Sequence, residues 1–302
     1  MGINERGVEF LLATTRPGDR LGTMATLGRQ NLHDVSAAAL CALAARHHRA
    51  LSFGDAEDLV APTFADDLLR WLGADEVCSL DASDFEGATM VVDLNVAVGE
   101  GLRRRFDTVL DGGTLEHVFN YPVALANAMD MVRPGGRLIH ITPTNQEAGH
   151  GFYQLSPEVF FRSLCEENGY RIERALLREE TTKGLWREVH DPVALGHRVE
   201  FTTSTKAYLY IAARRVAAVP PFSRWPQQSD YASEWEDPGR QAWTVRTPRY
   251  RRLVAKLLPD PVAALLRPLR TRRSTGLRPL GLHLDPLRDP EDARRSSLAP
   301  GG

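Results

Sequence analysis

Five short stretches of this chain gather residue types that do chemistry at close quarters. The first is "LDGGTLEHV", residues 110–118. Gly112 and Gly113 let backbone come up against a ligand with no side chain in the way, and Glu116 and His117 follow at once. An imidazole titrates near neutrality, so His117 is a candidate general base. A structural reading stays open beside it: Leu115 and Val118 pack while Glu116 and His117 cap or pair. The second stretch is "TPTNQEAGHGFYQLSPEVF", residues 142–160. Asn145, Gln146, His150, Tyr153 and Gln154 put donors, an aromatic ring and an imidazole into one loop, a set suited to a hydroxylated small molecule. His150, set between Gly149 and Gly151, can approach a substrate closely and is a second catalytic candidate. The open alternative is a lid without chemistry, with Tyr153 packed on the core. Asp81 in "SLDAS" and Asp93 with Leu94 in "VVDLN" close two apolar runs. A carboxylate at such an end accepts two hydrogen bonds from a ligand, or caps the turn that follows. The fifth stretch, "TLGRQNLHD", residues 26–34, has one glycine, Gly28. Arg29 behind it carries a planar fork that can hold a carboxylate, and Gln30 and Asn31 add donors.

Those residues need strand ends to hold them. Up to about residue 213 the chain alternates short apolar runs with helix-like segments, the pattern of βαβ units around a mostly parallel sheet. Strands are predicted over 23–29, 76–83, 88–95, 106–113 and 135–143, and two more over 170–179 and 201–214. Helices are predicted over 34–48 with Asp34 as N-cap, over 64–74, over 122–132, and over 156–169 with Ser156 as N-cap and Pro157 at the first turn. The segment between the last two strands lacks a crossover helix, so they are expected to pair antiparallel. The fold class is therefore α/β: a Rossmann-like, seven-stranded, mostly parallel sheet with helices on both faces and a closing antiparallel hairpin. Residues 1–214 form that domain. Residues 215–302, rich in Pro, Trp and Arg, form an extension expected to be partly disordered.

Composition sets limits. The chain has 302 residues, 43% of them apolar, and a net charge of −2, so it is globular and as a whole unlike a nucleic-acid binder. Three cysteines without CxxC spacing argue against a disulfide framework or a zinc–thiolate site and suit a reducing, cytoplasmic setting. No run approaches the roughly 20 apolar residues of a membrane span, and no secretory signal is read at the start. The spacing of Asp111, His140 and His150 is not diagnostic of a metal site, and no metal is expected. From Arg246 to Gly302 the local charge is +8, against −10 for the rest. The basic, proline-broken run 249–273 can fold back on the acidic domain or lie on an anionic membrane surface.

The stretch "FDTVLDGGTLEHVFNYPVALANAMDMVRPGGRLIHITP" resembles the class I S-adenosylmethionine-dependent methyltransferase family, which carries a similar "FD.V" strand, "LEHV" and "PGG" turn. The resemblance extends over roughly residues 21–213. It implies adenosylmethionine as cofactor, with Asp81 on the ribose diol, Asp93 and Leu94 flanking the adenine, and Asp111, Gly112 and Gly113 beside the methionine part. "TLGRQNLHD" then stands where that family has an acid and a glycine-rich loop. Gly28 alone is kept, and Arg29 is expected to hold the methionine carboxylate instead. Glu116, Asn145, Tyr153 and Gln154 are the expected acceptor contacts. "GHGFYQLSPEVF" also resembles methyltransferase-like proteins of bacterial glycan and polysaccharide gene clusters, which points to a sugar or sugar-nucleotide acceptor. Two other readings stay open: a non-catalytic member of the fold that acts as partner or scaffold in glycan assembly, and a surface-binding protein working through its basic tail. No GxGxxG follows a strand, which argues against a dinucleotide enzyme.

Overall fold

The computed structural model describes residues 2–16, 18–181, 184–236 and 275–286. A two-residue strand β1 (Gly2–Ile3) leads into helix α1 (Glu5–Thr14), whose first amides, Arg6 N and Gly7 N, are capped by the Asn4 side chain. Strand β2 (Gly22–Leu27) is followed by β3 (Asn31–Leu32), which pairs in parallel with β1. Helices α2 (Ala37–Arg46), α3 (Phe53–Val60) and α4 (Asp66–Trp71) cross over to β4 (Ala74–Asp81) and β5 (Met90–Val91). Then come β6 (Phe106–Gly112), α5 (Tyr121–Met131) and β7 (Val132–Asn145). The chain goes on through α6 (Pro157–Ser163), β8 (Tyr170–Glu179), β9 (Trp186–Val189), α7 (Pro192–Leu195), β10 (Ala207–Arg215) and α8 (Ser229–Glu236) to β11 (Leu277–Gly281).

Nine of these strands form one sheet in the order β11-β9-β8-β10-β7-β6-β2-β4-β5. β5, β4, β2, β6 and β7 are parallel, and β10 runs antiparallel to both β7 and β8. All seven expected strands are present and the closing pair is the antiparallel hairpin expected. The strand count is a correction: β9 and β11 extend the edge beyond β8, making nine. Chain order reverses between β2 and β6, so the crevice above their carboxyl ends is where an open α/β sheet takes a ligand.

Successive residues of the central strands enter two different cores. Ala25, Val109 and Leu138 pack with α5 and α6 on one face, while Met24, Leu110 and Ile139 pack with α1, α2 and α4 on the other. That alternation, with both faces covered, is why these strands read as continuous apolar runs. Arg215 is buried, and its guanidinium bonds the carbonyls of Met129, Asp130 and Val132. It thereby satisfies acceptors that the end of α5 leaves open.

Several element expectations are corrected. Ser36, not Asp34, caps α2, and Asp34 takes φ 55° beside His33. The helix expected over 156–169 stops at Ser163, and a separate 3-10 turn precedes Gly169, which has φ 77°. The strand expected over 88–95 is two residues long. Within the extension expected to be partly disordered, Leu277–Gly281 form β11, where Arg278 pairs with Glu188. Beyond β11, the buried carboxylate of Glu9 in α1 accepts bonds from Trp186 Nε1 at 3.0 Å and from Leu284 N at 3.0 Å. The basic run 249–273 lies outside the described residues. Among the described residues no helix is long and apolar enough to cross a membrane.

Candidate functional site

A cavity of about 270 Å³ opens at the carboxyl ends of β6 and β7. Gly112, Gly113 and Glu116 line it from the β6 side, and Glu147 and His150 from the loop after β7. The 3-10 turn Leu115–His117 carries Glu116 and His117. Asp111, wholly buried at the end of β6, fixes that turn: its Oδ1 accepts from Thr114 N at 2.8 Å. Its Oδ2 lies 2.5 Å from His140 Nδ1, another buried group. The loop after β7 closes on the same turn, because Phe152 N donates to Glu116 O at 2.8 Å. A Cβ at Gly151 would meet that carbonyl at 2.8 Å, and Gly151 has φ +68°, so only glycine lets the loop come this close.

The electrostatics of this corner are unusual. The Glu116 side chain is 1% exposed, and neither of its oxygens has a hydrogen-bond partner among the described residues. Burial, and after it the Asp111 charge, push its carboxyl up to about 8. His150 Nε2 lies 3.7 Å from Glu116 Oε1 and 3.2 Å from His117 Nε2. Burial and, after it, the neighbouring His150 lower the His117 pKa.

The structure brings Glu116, His117 and His150 together with Asp111, Gly112 and Gly113, as one site at the end of β6. It separates others. Arg29, expected to hold a ligand carboxylate, has its guanidinium 3.9 Å over the Phe64 ring and bonded to the carbonyls of Glu86 and Gly87, at 2.6 and 3.2 Å. Nearby acceptors and an aromatic face have taken the fork, so it holds the loop after β4. Gly28, at φ 69°, follows the last residue of β2, which stops at Leu27. Asp81 ends β4, and its Oδ2 accepts the Arg29 amide at 3.3 Å. Asp93 is exposed and caps its own turn through Asn95 N at 2.8 Å, while Leu94 is buried in the core.

Three expected acceptor contacts are instead internal ties. Tyr153 donates its hydroxyl to Phe119 O at 2.6 Å, Asn145 donates to Thr203 Oγ1 at 3.0 Å, and Gln154 Oε1 accepts from Glu147 N at 2.9 Å. None of the three lines the cavity. Residues that do line it, and that the sequence did not single out, are Lys206 and Tyr208. Their signal was topological: an antiparallel β10 starts beside the end of β7, with Ala207 opposite Asn145. Lys206 Nζ pairs with Glu147 Oε1 at 2.7 Å in the wall. Gln30, expected to add a donor beside Arg29, is turned inward beside the cavity wall. Its side chain donates to Leu27 O at 2.6 Å, and among the described residues its buried Oε1 has no partner. That oxygen would sit 2.3 Å from a Cβ at Gly112, so the amide fills the space the glycine leaves.

No protein-family model matches the chain, and no curated protein matches it in sequence. Solved structures similar to it include the CMeT domain of the citrinin polyketide synthase, at 15% identity over 68% of this chain and 48% of that one, with a TM-score of 0.34. The chain thus spans about half the length of that domain's solved chain. Another is the Burkholderia thailandensis 1,6-didemethyltoxoflavin-N1-methyltransferase with bound 1,6-didemethyltoxoflavin and S-adenosylhomocysteine, at 14% identity over 67% and 72%, with a TM-score of 0.31. A 16S rRNA (adenine(1408)-N(1))-methyltransferase mutant from Catenulisporales acidiphilia is similar at 13% identity over 72% and 94%, with a TM-score of 0.34. At such scores, cofactor and reaction have to be read from this chain's own residues.

Proposed function

We propose that this chain transfers a methyl group from S-adenosylmethionine to a small hydroxylated acceptor held in the cavity above β6 and β7, with a sugar or sugar nucleotide as the acceptor class. The supporting observation is the strand order. It puts a switch-point crevice between β2 and β6, with Asp81 at the end of β4 and the Gly112–Gly113 pair at the end of β6, the strands on either side of β2.

The residues present fit the nucleoside end of that cofactor directly. Asp81 is half-buried at a strand end, with one oxygen on the Arg29 amide and the other open to a ribose diol. At the methionine end the orphaned Gln30 Oε1 is an acceptor in need of a donor, which an α-ammonium supplies. Taking that ligand requires the Gln30 amide to turn away from Gly112, at the cost of its bond to Leu27 O. When bound, adenosylmethionine supplies an electrophilic methyl on a sulfonium. The protein's share is orientation: glycine backbone on one side, the His150 loop on the other, and a wall of Glu147, Lys206 and Tyr208 around the acceptor.

Calorimetric titration of the full chain with adenosylmethionine tests this reading. Asp81→Ala is expected to weaken binding by about 1.5–3 kcal/mol, the range for hydrogen bonds to a charged group. No heat at millimolar cofactor sinks it. One observation favours a second reading, a non-catalytic scaffold: Arg29 and Gln30 already make internal bonds. In that case Gln30→Gly gains cofactor binding that the wild type lacks.

A further inference from the structure

Glu116 poses a problem that the methyl-transfer reading leaves unsolved. A carboxyl group in the wall of a cavity, nearly wholly buried and with no hydrogen-bond partner on either oxygen among the described residues, is costly to ionise. A second wholly buried carboxylate, Asp111, stands at the end of the same strand. Among the described residues the only ion partners of the two are histidines, His150 and His140; neither has a Lys or Arg. Two imidazoles complete the corner. The His117 and His150 rings lie 4.7 Å apart at 73°, edge to face, with their Nε2 atoms at 3.2 Å. A single hydrogen bond between the two imidazoles accounts for that contact. It does nothing for Glu116, whose Oε1 is 3.7 Å from the same His150 nitrogen.

One group satisfies all three side chains. Ligand atoms held about 2.0–2.2 Å from a tetrahedral ion stand about 3.4 Å from one another. The separations of 3.2 and 3.7 Å bracket that figure, and all three ligand atoms lie within 4.8 Å of each other. We propose that Glu116, His117 and His150 bind one divalent first-row transition-metal ion, with its remaining position open to the cavity. Two imidazoles and one carboxylate suit Zn²⁺, Co²⁺, Fe²⁺ or Mn²⁺ better than Mg²⁺ or Ca²⁺, which take oxygen ligands. Three protein ligands with one position left is the pattern of a site that binds an outside ligand rather than a purely structural one. The cavity makes that ligand a small molecule offering an oxygen, such as a hydroxyl or carboxylate.

The surroundings are built to hold the triad. Asp111 pins the turn that carries Glu116 and His117 through the Thr114 and Leu115 amides. Gly151 permits the close approach that brings His150 in from the loop after β7, 33 residues away in sequence. Ligation replaces the proton-transfer role expected of the two histidines, because each lone pair then faces the ion. The site stands whether or not the chain binds adenosylmethionine, and its test uses no cofactor.

The full chain is stripped with chelator and titrated with Co²⁺ alone, followed by visible absorption and by calorimetry, with Zn²⁺ as competitor. The wild type is expected to take one equivalent and to show the d–d bands of an imidazole-ligated ion. His150→Ala and the near-isosteric Glu116→Gln should each lose more than the roughly 10–100-fold in affinity that outer-shell changes cost. His190→Ala, outside the corner, should bind as the wild type does. Far-UV circular dichroism checks that each variant is folded. Well under one equivalent bound by the wild type overturns the proposal. So does an affinity that folded Glu116→Gln and His150→Ala leave unchanged.

Discussion

Replacing Glu116 by Gln should change how the stability of the metal-free protein depends on pH. In the folded chain the buried carboxyl keeps its proton up to about 8, against an ordinary value of 4.5. Between those values the folded state holds a proton that the unfolded state has lost, so stability falls as pH rises and levels off above about 8. At 1.36 kcal/mol per unit, a span of roughly 3.5 units is worth about 5 kcal/mol. The side chain is 1% exposed, so solvent does little to screen it. Glutamine does not titrate and keeps the shape. Other titrating groups, His117 included, are common to both proteins and largely cancel in the difference. Urea unfolding in chelator at pH 5, 6, 7 and 8 measures it. The stability of the variant relative to the wild type should climb through this range by several kcal/mol, whatever its offset. Parallel profiles would refute the reasoning, because Glu116 would then ionise in the folded chain as readily as in the unfolded one.

Other expectations follow from single contacts. Arg29→Ala should destabilise the chain by about 1–3 kcal/mol in urea through loss of the Glu86 and Gly87 bonds, and should weaken adenosine and S-adenosylhomocysteine binding alike. A loss confined to the carboxylate-bearing ligand would restore the fork to the ligand. Gly112→Ala puts a Cβ 2.3 Å from Gln30 Oε1, so it should expel that amide and cost about 1–3 kcal/mol by overpacking, read in the same assay. An unchanged midpoint would mean that Gln30 does not fill that space. Trp186→Phe leaves one oxygen of buried Glu9 without its indole donor and should cost about 1.5–3 kcal/mol.

The strands of the parallel sheet were readable because each is a closed apolar run with a helix pattern between. β9 and β11 were not readable. β9 is four residues long and pairs with β8 at two positions, and β11 carries Pro279 on the edge. Neither has the alternation or length that marks a strand. At the site, Glu116 and His117 were visible as neighbours. Their junction with His150 was not, because it depends on where the loop after β7 lands. Arg29 and Tyr153, read as ligand contacts, bond carbonyls of the protein instead. A sequence shows that a donor exists, but not that a carbonyl of the same protein is nearer than any ligand.

The edge strand β11 also bears on how the chain comes off the ribosome. Its anchor, Leu284 N on Glu9 Oε1, joins residues 275 positions apart, and its partner β9 is made nearly a hundred residues before it. Contacts of that span form last. While synthesis is under way, β9 therefore waits as an open edge, able to pair with a strand from another nascent chain. The proline in β11 has no amide hydrogen to offer a further strand, so once β11 docks, the growth of the sheet is checked on that side. Chains truncated before residue 277 keep the open edge for good, and crowded polysomes are where such chains would be expected to stick to one another.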